Sequence, residues 1–92
     1  MTNYEKYLAA FTESFEVSAD EAEKLEYQAI PAWDSVGHMG LVAAIEDAFG
    51  IMMDTDDIID LSSFEKGKEI LAKNYNIEFL SEVYIYVEFE SI

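Results

Sequence analysis

With 92 residues, 51% of them hydrophobic, the chain is sized for one domain with a small core and a thin stability margin. It has no cysteine, which excludes disulfides, a thiol nucleophile and a cysteine-ligated metal, and fits a reducing compartment. Twenty Asp and Glu against five basic residues, all Lys, give a formal net charge of −15, which repels nucleic acid and anionic membranes and attracts basic protein surfaces.

Tyr4, Tyr7, Leu8, Phe11 and Phe15 recur at helical spacing and predict an amphipathic first helix. Thr2 and Glu5 have the spacing of a capping box at its start. Residues 16–33 read as a long connection, with Ser18 and Glu21 capping a short turn. Leu25, Tyr27, Ile30 and Trp33 follow no period, and are expected to anchor this connection over the core. Pro31 prevents a helix from running through to Trp33.

The next helix starts at Asp34 or Ser35, with Asp34 as a suitable N-cap, and stops at Gly50. At 100° per residue, Leu41, Val42, Ile45, Ala48 and Phe49 share one face, which is assigned to the core. Val36, Met39, Gly40, Ala43 and Asp47 share the other, a face unusually small and apolar for solvent. Asp54 and Asp57 mark a short capped helix ending near Asp60. Ser62 and Glu65 have the spacing of a further capping box, opening a last helix that carries Phe64, Ile70, Leu71 and Tyr75 and is weakened by Gly67.

The fold expected is all-α: a small four-helix antiparallel bundle with a long loop after the first helix and a short third helix. Residues 1–75 form the domain. Residues 76–92 are a C-terminal extension, expected to be loosely packed or mobile, in which Val83–Glu90 reads as a strand. The opening MTNYEKYLAA lacks a basic stretch leading into a long apolar run, and no segment is apolar for the length of a bilayer. The expected location is therefore the cytoplasm, without membrane insertion.

Two apparent chemical motifs fail on inspection. His38, the single histidine, follows Ser35 by three residues, but no Gly-x-Ser-x-Gly elbow surrounds the serine and the helical angle turns His38 toward the core. In the stretch from Asp54 to Glu65, Ile58 and Ile59 stand where a calcium loop needs a ligand and a glycine.

The remaining feature is the run Trp33-Asp34-Ser35-Val36-Gly37-His38-Met39, followed by Leu41-Val42-Ala43-Ala44-Ile45-Glu46-Asp47-Ala48-Phe49-Gly50-Ile51. Over about residues 3–75 the chain resembles the acyl carrier protein family, which has Asp-Ser-Leu at the start of its second helix and an acidic-Phe-Gly ending. Val36 replaces that leucine here, and Gly37 and Gly40 stand where the family often has acidic residues. The wording is more similar to dedicated carriers of specialised biosynthetic clusters.

The resemblance implies that Ser35 is the attachment site of a covalent 4′-phosphopantetheine arm derived from coenzyme A, with Asp34 as its motif neighbour. It implies a non-catalytic, monomeric carrier of acyl thioesters. Its partners would be a phosphopantetheinyl transferase and acyl-loading and acyl-transfer enzymes with basic docking surfaces. The partner face so implied comprises Val36, Met39, Ala43, Glu46 and Asp47, with Met53 and Asp57 beyond them. A D-alanyl or aminoacyl carrier is an alternative, favoured over a peptidyl carrier by Asp34. An unmodified interaction module of the same fold is another.

Overall fold

The computed structural model describes residues 1–79. They form five helices: α1 (Asn3–Phe15), α2 (Ala19–Ala22), α3 (Ser35–Phe49), α4 (Thr55–Asp60) and α5 (Phe64–Asn74). Among the described residues there is no strand, only an isolated antiparallel bridge between Glu26 and Ser63. The strand reading for Val83–Glu90 lies outside the described residues.

Local sequence chemistry sets most helix ends. Both capping boxes expected near the start of the chain are made: the side chains of Thr2 and Ser18 accept from the N–H of Glu5 and Glu21, whose carboxylates reach back. Asp34 caps α3 by accepting the Gly37 N–H at 2.8 Å. Gly50 ends α3 in the left-handed conformation, at φ 63°, which glycine adopts without steric cost.

Two starts differ from expectation. Asp54 occupies the N-cap position of α4, but its side chain makes no capping bond. Instead its N–H donates to the Tyr75 hydroxyl at 2.7 Å. The last helix is capped by Ser63, whose hydroxyl accepts from Lys66 N–H at 2.9 Å, and not by Ser62 and Glu65. The reason is the bridge. Ser62 gives its carbonyl to Tyr27 N–H at 2.9 Å, and Phe64 N–H reaches the Leu25 carbonyl at 3.0 Å. Ser62 is thereby held extended, and the helix begins one residue later.

The core is aromatic. Tyr7, Phe11, Phe64 and Trp33 are at most 1% exposed. Phe11 sits at its centre, with ring centroids 5.0 Å from Tyr7, 4.9 Å from Phe64 and 5.5 Å from Trp33, all edge-on. Burying each such side chain stabilises the fold by about 1.5–3 kcal/mol. Trp33 comes from the connection rather than a helix, so that loop contributes the largest buried side chain. Of its other expected anchors, Leu25 is buried and Ile30 half-buried, while Tyr27 lies exposed over Trp33 and His38. The inner face of α3 is Leu41, Val42 and Ile45, with Ala48 and Phe49 half-buried at its edge.

The core does not stop at residue 75. Ile77 and Phe79 are buried, the Phe79 ring lies 5.7 Å from Tyr7, and Asn3 Nδ2 donates to the Glu78 carbonyl at 3.0 Å. The first four residues of the 76–92 extension therefore close the core around α1.

Tyr7 couples this core to pH. Its hydroxyl donates to the Phe64 carbonyl at 2.7 Å inside the protein. Burial, then the charge of Glu65 and the neighbouring Tyr4, push its pKa well above the usual tyrosine value. The folded state then binds this proton more tightly than the unfolded state. The stabilisation is complete below the unfolded tyrosine pKa, about 10, and is lost as pH rises past it. Alkaline melts should show stability falling above about pH 10, and Tyr7→Phe should flatten that fall while costing about 1 kcal/mol at neutral pH for the lost hydrogen bond. Parallel alkaline loss in both proteins would assign it to other groups.

Candidate functional site

The serine picked out by sequence lies at the first position of α3 and is exposed. Asp34 supplies the cap twice over: its carboxylate takes the Gly37 N–H, and its carbonyl takes the His38 N–H at 2.7 Å. This leaves the Ser35 hydroxyl, and the N–H groups of Ser35 and Val36, with no hydrogen-bond partner among the described residues. Unpaired N–H groups at the positive end of a 15-residue helix favour an anionic group there.

The turn entering the helix is built around Gly37. A Cβ at that position would collide with the carbonyl oxygen of Ala32 and lie 3.4 Å from Asp34 Oδ1. An acidic residue here would displace the loop that presents Ser35. Gly40, one turn on, faces open space.

Beside Ser35 lies an apolar groove of about 400 Å³, lined by Tyr27, His38, Met39, Ile58, Ile59, Leu61 and Ser62. It joins the outer face of α3 to α4 and to the 26–34 loop. Sequence reasoning assigned only Ser35 and Met39 of this group to the site. Ile59, 72% exposed on the six-residue α4, is a large apolar residue left in solvent beside the groove.

His38 forms the inner wall. Its Nδ1 accepts from Trp33 Nε1–H at 2.9 Å and its Nε2 lies 2.7 Å from the Ile58 carbonyl. The indole nitrogen can only donate and the carbonyl can only accept. The ring is therefore the neutral tautomer with its proton on Nε2.

The expected partner face divides on inspection. Val36 is 80% exposed and Met39 53%, and Ala43 and Asp47 are exposed on the same side of α3. Glu46 is half-buried, and its carboxylate holds Met53 N–H at 2.8 Å, fixing the turn after α3. Met53 does not belong to the face: it is 6% exposed and part of the core, and the methionine offered to solvent is Met52 at 85%. Asp57 is half-buried and held by Asn74 Nδ2 at 2.9 Å and the Tyr75 hydroxyl at 2.7 Å, so its carboxylate secures α4 against the end of α5.

Among the described residues, no helix is long and apolar enough to cross a membrane. Comparison of the chain with protein-family models, with curated proteins and with solved structures found no match.

Proposed function

We propose that the chain is an acyl carrier protein that holds acyl intermediates as thioesters on a 4′-phosphopantetheine arm attached to Ser35. The observation that carries this reading is the exposed Ser35 hydroxyl at the first position of α3, free of any partner among the described residues and beside two unpaired N–H groups. A phosphodiester on that oxygen would place its charge where the helix end favours it. The residues present thus fit the arm: Ser35 would bond it, and the Ser35 and Val36 N–H groups would face its phosphate. Its terminal thiol supplies the thioester chemistry that a chain without cysteine lacks.

In this reading α1, α3, α4 and α5 are the four helices of a carrier bundle, and α2 is a turn within its long first connection. The protein is a monomeric, non-catalytic shuttle of the cytoplasm. It meets a phosphopantetheinyl transferase first and acyl-loading and acyl-transfer enzymes afterwards. Incubation with a phosphopantetheinyl transferase and coenzyme A should raise the intact mass by one phosphopantetheine. No gain with transferases of broad specificity would leave the chain an unmodified interaction module.

Docking rests on the exposed side of α3. Val36, Met39 and Ala43 offer apolar contact and Asp47 offers charge, opposite the buried Leu41 and Ile45. Met39→Glu and Asp47→Lys should each slow modification of Ser35 about tenfold or more, with Tm within a few degrees of wild type because neither side chain is in the core. The Asp47→Lys effect should shrink as salt rises, since screening removes steering. Wild-type rates in both variants would move the docking surface elsewhere.

A further inference from the structure

The single histidine and the single tryptophan of the chain are bonded to one another at the turn that presents Ser35. We propose that His38 is a proton-operated tie: neutral, it fastens the Trp33 indole to α3, and protonated, it releases that indole at the turn leading into Ser35.

The argument is one of donors and acceptors. Trp33 Nε1–H needs an acceptor because the indole is buried, at 0% exposure, and Nδ1 of His38 is that acceptor. The Ile58 carbonyl lies in the last turn of α4, where no helical N–H follows to satisfy it, and the His38 Nε2–H supplies the bond. When water delivers a proton to Nδ1, the ring carries N–H at both nitrogens. The bond to Ile58 becomes charge-assisted and holds. The bond to Trp33 becomes two donors facing each other, and it breaks. The ring stays with α4 while the Trp33 indole loses its tie. Trp33 leads directly into Asp34 and Ser35, whereas Tyr27, the groove wall from the same loop, stays held by the Ser62 carbonyl.

Histidine is the side chain that ordinarily changes charge between pH 5 and 8. The elements against the ring are the 26–34 loop and α4. The loop brings Tyr27, edge-on at 5.5 Å, together with exposed Glu26 and Asp34, whose carboxylate is held by Gly37. Helix α4 brings Asp57, engaged with Asn74 and Tyr75, and exposed Asp60. His38 forms no ion pair with any of these.

The tie stands on these bonds alone and not on what Ser35 carries. It is tested by nuclear magnetic resonance of the ¹⁵N-labelled full chain as pH is lowered from 7.5 until the His38 ring shifts report full protonation. At pH 7.5 the His38 ring shifts should report an unprotonated Nδ1. As the ring takes up its proton, the Trp33 indole resonance should move along the same one-proton curve. Exchange of the indole hydrogen with solvent, corrected for the intrinsic effect of pH, should rise at least tenfold. In His38→Asn the side-chain oxygen can accept the indole hydrogen but cannot take a proton, and the indole resonance should stay in place over this range. An indole resonance that does not move while the ring titrates would overturn the proposal, as would a protonated Nδ1 at pH 7.5. Equal movement in His38→Asn would assign the change to carboxylates and overturn it as well. Should His38→Asn fail to fold, the wild-type ring and indole curves decide between these outcomes by themselves.

Discussion

Ser35→Ala should fold as the wild type does and accept no phosphopantetheine at all. The loss is complete because the arm needs a hydroxyl oxygen at that position and alanine offers none. The fold is spared because Ser35 is not the helix cap. Asp34 takes the Gly37 and His38 N–H groups, and the Ser35 hydroxyl bonds nothing among the described residues. An N-cap substitution costs about 1 kcal/mol, whereas an exposed first-turn Ser→Ala change is neutral or slightly favourable to the helix. Tm should therefore move by at most a few degrees. A control at the cap itself, Asp34→Ala, should lower Tm by roughly 4–8 °C, the shift that 1 kcal/mol produces in a domain of this size. A Ser35→Ala protein that still gains the mass of the arm would move the site to another hydroxyl.

Gly67→Ala should destabilise the protein by about 2–3 kcal/mol, although alanine is the better helix former by about 1 kcal/mol. A Cβ at Gly67 would overlap the Tyr7 hydroxyl oxygen and come within 2.6 Å of Leu61 Cδ1. Both neighbours are fixed. Tyr7 is 0% exposed and bonded to the Phe64 carbonyl, and Leu61 is 1% exposed. Relief requires moving Tyr7, which strains the aromatic core and strips a buried hydroxyl of its acceptor, a loss of about 1–3 kcal/mol. Gly40→Ala provides the contrast. It faces open space, so the helix gains up to about 1 kcal/mol with nothing to displace. Thermal melts of the two variants should fall on opposite sides of wild type. A Gly67→Ala protein as stable as wild type would mean that α5 can slide away from Tyr7 at little cost.

Much of the fold could be read from local chemistry. The Thr2 and Ser18 boxes, the Asp34 cap and the Gly50 stop are decided within a few residues of sequence, and the structure forms them all. The two sides of α3 follow from its period, with Leu41, Val42 and Ile45 buried and Val36, Met39 and Ala43 exposed. What escaped depends on partners distant in the chain. The start of α5 moved by one residue because Tyr27 takes the Ser62 carbonyl. Gly67 looked like a weak point in a helix, and its need became visible only with Tyr7 set against it, sixty residues earlier. Met52 and Met53 lie in a stretch without a period, so nothing in the sequence said which of the two would turn inward. Burial of Ile77 and Phe79 depends on α1, at the other end of the described chain.

The site was legible in the same uneven way. Ser35 and Asp34 stand together in a short run, and the helix start follows from them. The groove does not, because its walls come from the 26–34 loop, α3 and α4. The role of His38 was hidden for the same reason: its two bonds reach residues 5 and 20 positions away.

The claim that the chain carries its cargo on Ser35 is tested most directly by locating the modification. After incubation with transferase and coenzyme A, the protein is digested and the fragments are sequenced by tandem mass spectrometry. The account predicts that the whole added mass resides on the fragment spanning Asp34 to Val36, on the oxygen of Ser35, and that Ser14, Ser18, Ser62, Ser63, Ser81 and Ser91 remain unmodified. An arm found on any of those serines, or an unmodified Ser35 in protein that has gained mass, would contradict it.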